Sequence, residues 1–333
     1  MKSFGRCFCV SLFGTSHAPF LGVEIKGCPV GLAVDERIFA VDIARRKAGA
    51  LGTTNRIEPD VPHIAHGCVN GYSTGETIRI IFENKNIRPD EYTHFKTHPR
   101  PGHADWAARQ KYGEACDLSG GGIFSGRMTL PLVAAGVVAK CLLQQKYPHI
   151  NISARLVEAG GSKDIATAVQ AAREAGDSIG GVLECRATGL PVGLGEPFFD
   201  SLESCISHLV FSIPGIKGIE FGEGFAAARM RGSEHNDCYI DKQGRTASNH
   251  AGGINGGISN GNELVFRVAA KPTPSIALPQ QTFDLAANKM APLVIKGRHD
   301  VCFALRLPVV VEAVTAIVLA DFACYNFTDT APE

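Results

Sequence analysis

The amino-acid sequence predicts one α+β domain over residues 1–333, with a buried helical layer and a pocket built from loops. Three observations carry that expectation. Strand-like alternation and helical periodicity are interleaved along the chain without a regular strand–helix–strand repeat. Residues 130–144 are apolar almost all the way round, and a helix of that kind belongs inside the molecule. No low-complexity linker divides the chain, and no repeat occurs at solenoid spacing.

Taken in order, Leu21, Val23 and Ile25 alternate with Gly22, Glu24 and Lys26, the pattern of a half-buried strand. Asp35 is placed to cap a helix that runs to Arg46 and stops near Gly49. Ile78, Ile80 and Phe82 alternate with Arg79 and Glu83 as a second strand. Pro131 suits the first turn of the buried helix, where its missing N–H costs nothing. Ile165, Val169 and Ala172 mark a lighter amphipathic helix ending at Gly176, and Asp200 with Glu203 reads as a capping box ahead of Leu202, Ile206 and Leu209. Leu264, Phe266 and Val268 form a strand, and 309–322 a last helix.

The 33 basic and 33 acidic residues cancel, so no global field points to nucleic acid or a membrane, and an anionic ligand must be held by a local cluster of Arg and Lys. Eleven cysteines without a C-x-x-C pair read as reduced, mostly buried side chains of a cytoplasmic protein. The apolar part of the N-terminus is short and suits a first strand better than a signal peptide, and the run 307–320 is broken by Glu312 and too short to span a bilayer.

Chemistry concentrates in a few stretches. In Arg100-Pro101-Gly102-His103-Ala104-Asp105 a tight turn holds an imidazole between a permanent cation and a carboxylate, a plausible proton-transfer site against the plainer reading of a surface turn. Phe13-Gly14-Thr15-Ser16-His17-Ala18 follows the first strand. The run from Gly120 to Thr129 leads into the buried helix and sets backbone N–H groups beside Arg127, an anion site but not a P-loop. Lys271-Pro272-Thr273-Pro274-Ser275 follows a strand, and Arg298-His299-Asp300 precedes the last helix. Gly252 to Gly257 lacks the strand–helix setting of a dinucleotide fingerprint, and His63, His66 and Cys68 lack a fourth metal ligand.

In this order the stretches resemble the chorismate synthase family over nearly the whole chain. The family's R-P-G-H-A-D block is complete at Arg100 to Asp105, and its R-S-S-A-R-E-T block is matched by Ile123-Phe124-Ser125-Gly126-Arg127-Met128-Thr129. Gly189 to Asp200, Ser212 to Gly218, Asn249 to Gly253, Lys271-Pro272-Thr273 and Arg298 to Cys302 complete the series.

The resemblance implies a β-α-β sandwich, a helical layer between antiparallel sheets, assembled as a homotetramer. It also implies a lyase that converts 5-enolpyruvylshikimate 3-phosphate to chorismate and phosphate with reduced FMN and no net redox change. On that likeness His17 assists the departing phosphate, His103 lies against the flavin ring, and Asp300 acts with flavin N5 in removing the ring proton. The cofactor set is Ser125, Pro214, Gly215, Gly256, Lys271, Pro272, Thr273, Pro274, Ser275 and Arg298. The substrate set is Arg45, Arg46, Arg56, Arg100 and Arg127. An external reductant is expected for the flavin, since no NAD(P)H-binding domain is evident, and the family's association with NADP is part of the resemblance. Two alternatives stay open here: a flavin-dependent lyase with an altered substrate, and a non-catalytic flavin-binding homologue. They arise because Lys47, Gly52 and Ile123 stand where family members carry arginine, and Met128 where they carry glutamate. Gly52→Arg with Ile123→Arg is therefore expected to restore grip on the substrate.

Overall fold

The computed structural model describes residues 3–49, 51–54, 58–87, 89–113, 116–295 and 299–324. Its α-helices are α1 (Ala40–Arg46), α2 (Asp105–Tyr112), α3 (Thr129–Lys146), α4 (Ile165–Glu174), α5 (Leu202–Val210), α6 (Gly232–His235) and α7 (Pro308–Cys324). An antiparallel five-stranded sheet runs Ser3–Phe4, Cys9–Gly14, Phe20–Lys26, Ile78–Glu83, His63–His66 in spatial order. A second antiparallel sheet runs Ile216–Phe221, Leu264–Ala270, Gly181–Thr188, Asn151–Ala159. Helix α3 packs on the first sheet, α7 on the second, and the two helices pack on each other. The helical layer between antiparallel sheets expected from the sequence is what the chain forms.

Helices α3 and α7 are apolar on every side because neither meets water along most of its length; in α7 every residue from Val309 to Ala323 is buried. Residues 126–146 would be long and apolar enough to cross a membrane, yet 83% of the most apolar window is buried inside the protein. The helices approach closely at Gly136, where a Cβ would lie 2.3 Å from that of Ala313. Glu312, buried in α7, is satisfied by both terminal nitrogens of Arg45 at 2.7 Å, by Lys140 at 3.2 Å and by the Ala154 N–H. Asp321 near the end of α7 accepts from three successive backbone N–H groups, Arg6 to Phe8, and ties the N-terminal strands to the core. Buried thiols are correspondingly inert: burial pushes Cys28 and Cys185 up to about 12.

Two local expectations change. Ser201, not Asp200, caps α5, because its hydroxyl accepts from the Ser204 N–H while Asp200 pairs with Arg6. Asp35 does cap, but the first turn it starts (Glu36–Phe39) is 3₁₀ before α1 begins.

Candidate active site

The site forms where the loops after Cys9–Gly14 and before α3 meet the segment before α7. Its first member, His17, sits on the connection between two neighbouring strands of the first sheet. Asn84 fixes that connection by donating to the Thr15 and Ala18 carbonyls at 3.2 and 2.7 Å, while its own carbonyl accepts from Arg127 Nε at 2.7 Å. Tyr92 lies edge-on to the His17 ring, with centroids 5.2 Å apart. Gly120 closes the other side: its φ is +59°, and a Cβ there would lie 2.0 Å from His17 Cε1.

His103 is held from behind. Its Nδ1 lies 2.7 Å from Asp105 Oδ1 and 3.2 Å from Arg100 Nη2; the shorter contact, to a carboxylate that can only accept, favours the proton on Nδ1 and leaves Nε2 facing the Gly121 side. Arg100 grips the same carboxylate with Nε and Nη2 at 2.8 Å and with its backbone N–H at 3.0 Å. Burial alone would push the Asp105 carboxyl up. The hydrogen bonds from Arg100 and His103, with their charge, outweigh it and hold the group well below the usual carboxylate range.

Two cavities meet at Gly120, Ser125, Gly126 and Asp300. The smaller, about 180 Å³, is lined by Arg46, Lys47, Arg127 and Arg306 with Glu58, Asp60 and Tyr92. Asp60 is its floor. Held at φ +50°, it receives Arg127 Nη1 at 2.7 Å and Arg46 Nη1 at 3.4 Å. Burial, with the neighbouring Arg306 and Arg127, lowers Arg46 to about 9. Arg127 Nη2 is buried and has no hydrogen-bond partner among the described residues. Four cations face three carboxylates here, and the unpartnered Arg127 Nη2 leaves a donor that suits an incoming oxyanion.

The larger cavity, about 500 Å³, has apolar and aromatic walls from Phe124, Ile213, Pro214, Pro274 and Phe303, with Ser125, Thr273, Ser275, Lys271 and His103 along them. Gly215 abuts the Phe303 ring, and Lys271 donates to the Gly102 carbonyl. Thr273 Oγ1 is buried without a partner among the described residues. A flat, largely apolar ring system with a few polar edges fits this donor set, and the volume lies within the roughly 300–1,000 Å³ of ligand pockets.

The structure thus brings together His103, Asp300, Ser125, Pro214, Gly215, Lys271, Thr273, Pro274, Ser275, Arg46 and Arg127 around the two cavities, while His17 lines neither and packs against Gly120 and Tyr92, which line the smaller one. Arg45 is not among them: it points to Glu312 in a separate cavity between α1, α3 and the second sheet. Arg100 lines the larger cavity, but its fork is taken up by Asp105, so it supports His103 instead of offering a free grip. Gly256 belongs to a hairpin turn outside both cavities, and Pro272 lines neither. Arg56 and Arg298 lie outside the described residues. Gly52 is corrected too. A Cβ there would lie 2.4 Å from Val169 Cγ1, away from the cavity, and the Gly52 carbonyl accepts from Val301 and Cys302. Ile123 does line the larger cavity. With Met128 it also walls an adjoining apolar cavity of about 270 Å³ beside Phe4, Leu12 and Leu209. Asp60, Asn84 and Tyr92 were not foreseen, for each is a single polar residue whose partner is remote in the chain, and neither was Arg306, whose partner Asp300 is near in sequence but which stands outside any motif. Among the described residues no group of His, Cys, Asp and Glu is arranged to hold a metal.

A family model described as chorismate synthase matches residues 8–324. A chorismate synthase of Chitinophaga pinensis is 55% identical over 322 residues, covering 97% of this chain and 96% of the relative. One of Dehalococcoides mccartyi is 43% identical over 350 aligned positions, with 97% and 96% covered. A crystal structure of chorismate synthase superimposes with a TM-score of 0.74 at 26% identity, covering 96% of this chain and 92% of that one.

Proposed function

The chain belongs to the chorismate synthase family and is a lyase, and we propose that its two joined cavities hold 5-enolpyruvylshikimate 3-phosphate and reduced FMN. One observation carries this reading: Asp300 lines both the cation-rich cavity and the apolar one, so an acid–base group stands at their seam. Arg46, Arg127 and Arg306 would bind the phosphate and carboxylates of the substrate, with Lys47 at the rim. Bidentate guanidinium–oxyanion contacts fix orientation as well as charge. Reduced FMN, when bound in the larger cavity against Pro214, Gly215 and Thr273 to Ser275, supplies the electron density that eases cleavage of the C–O bond to phosphate.

The remaining steps belong to the side chains. His17, held between Gly120 and Tyr92, gives its proton to the departing phosphate. Asp300 accepts the proton from the ring carbon; in this 1,4-elimination the existing ring double bond becomes single as two new ones form on either side of it, one to the carbon that lost the proton and one to the carbon that lost the phosphate. His103, its Nδ1–H fixed on Asp105, presents Nε2 as a hydrogen-bonding edge to the flavin. An altered substrate is not favoured, since relatives 55% and 43% identical to this chain over nearly its whole length are both chorismate synthases. The reading also takes residues 1–333 as one domain, in a cytoplasmic homotetramer fed by an external flavin reductant.

The test is an anaerobic assay with photoreduced FMN and the enolpyruvyl substrate, following chorismate absorbance and released phosphate. Equimolar chorismate and phosphate are expected. Absence of turnover with saturable FMN binding intact would defeat the substrate assignment, and absence of FMN binding would defeat the cavity assignment.

A further inference from the structure

Arg306 was not among the expected site residues, and its bonding is unusual for a cavity cation. Its Nε donates to the Arg46 carbonyl at 3.0 Å, which fixes the plane of the guanidinium. Its Nη1 then reaches both oxygens of Asp300, at 3.3 and 3.2 Å. Asp300 also accepts from the Thr54 N–H at 2.9 Å and feels the charge of Arg46. The carboxylate placed at the seam of the two cavities is therefore bound to one of the cations that line the anion cavity.

Two of the three acids that line this cavity, Asp60 and Asp300, differ in kind. Asp60 is sealed in the floor, its side chain 3% exposed, with a 2.7 Å bond to Arg127. The Asp300–Arg306 pair is longer and more open, with side chains 17% and 20% exposed. Asp60 is thus a fixed counter-ion, while the Asp300–Arg306 pair can be exchanged.

We infer that Arg306 is a shared cation: Asp300 holds it until an oxyanion enters the cavity, takes over the guanidinium, and frees the carboxylate to act as a base. Binding of the anionic end of the substrate and readiness of the base are thereby coupled, so proton abstraction waits for a correctly seated substrate. This rests on the reading of the small cavity as the anion site. It makes Arg306 a positioning residue for Asp300 as well as an anion ligand.

The coupling predicts a result opposite to that of a merely structural ion pair. Inorganic phosphate is titrated calorimetrically into the flavin-free full-length protein at fixed ionic strength. The proteins are wild type, Asp300→Asn, Arg306→Gln and the double variant, each checked by circular dichroism. Asp300→Asn is expected to bind phosphate about tenfold more tightly, because the competitor for Arg306 is gone, and Arg306→Gln about tenfold more weakly. In the Arg306→Gln background, Asp300→Asn should gain less than about twofold, since no shared cation remains to be released. Arg306→Lys, which keeps the charge without the fork, should fall between wild type and Arg306→Gln, and it replaces the latter if that variant does not fold. Equal gains from Asp300→Asn in both backgrounds would mean a general field effect and overturn the inference, as would no gain at all. Loss of the coupling with phosphate binding intact leaves the proposed function standing. A wild type that binds no phosphate removes both.

Discussion

Neighbouring residues on a helix point about 100° apart, and that rotation separates Arg45 from Arg46. One turns to Glu312 and the core, the other to Thr129, Asp60 and the anion cavity. Nothing in the local sequence says which is which. Arg46→Ala should raise the KM for the enolpyruvyl substrate by tenfold or more, on the order of a lost charge-assisted contact. Arg45→Ala should leave KM within about twofold and lower stability by about 1–3 kcal/mol, because Glu312 keeps only Lys140 and the Ala154 N–H. Steady-state kinetics beside urea denaturation separate the two. Asp105 gives a second check with a sign. Its folded-state pKa is depressed, so the stability it contributes is present above the unfolded value near ~3.9 and is lost as pH falls through the lower folded value. Asp105→Ala should cost roughly 3–5 kcal/mol at neutral pH, with the gap to wild type closing only below about pH 4. A gap of constant size down to pH 2 would show that the carboxylate's charge is not what matters. Of the site residues, those inside a short motif (His17, His103, Asp300) were legible. Asp60 was not, since its partner Arg127 is 67 positions away.

At the scale of elements, periodicity was enough wherever packing decides the backbone. Helices α3 and α7 show all-round apolarity because they fill the layer between two sheets, and the strands Phe20–Lys26, Ile78–Glu83 and Leu264–Ala270 show their alternation. The connections that build the site were not legible in shape. The segment Ser119–Phe124 is kinked by three successive glycines, Gly120 to Gly122, at positive φ, non-helical backbone that glycine takes readily, and the His17 and His103 rings pack against Gly120 and Gly121. This gives a prediction for the loop itself. Gly120→Ala must either displace the His17 ring or shift the loop, and in addition strains a left-handed residue. It should lower kcat by ~10²–10⁴, the contribution of a well-placed acid, while FMN affinity changes little and the melting curve stays cooperative. Unchanged kcat would free His17 from its assigned role. A matching loss in His17→Ala, with no further loss in the double variant, would show that both act through one group.

For the whole molecule, the cancelled net charge conceals a local concentration of it, four cations set against Glu58, Asp60 and Asp300. The fold gathers Arg46, Lys47, Arg127 and Arg306 around one small cavity, and that grouping depends on tertiary structure that charge counting along the chain does not contain. The surface carries the complementary feature. Phe198, Phe199 and Phe225 are 86%, 93% and 80% exposed, far more than an isolated subunit gains from. Phe198 also holds φ +65°, a conformation costing of order 1–3 kcal/mol that persists only where its surroundings impose it. They do so here. The Glu196 N–H donates to the Asp200 carbonyl, and Asp200 is paired with Arg6, so the turn projects both rings outward. Each phenylalanine offers roughly 150–250 Å² of surface to bury, which makes the turn a natural anchor for another copy of the chain. The homotetramer proposed above therefore predicts that Phe198→Ser with Phe199→Ser shifts the species seen by multi-angle light scattering from about four subunits to two or one at micromolar concentration, with the far-ultraviolet spectrum unchanged. If assembly rests on this turn, the shift should be reversed at higher protein concentration, as mass action requires. A double variant that keeps the wild-type mass would place the subunit contact elsewhere, and a wild type that runs as a monomer would remove the tetramer altogether.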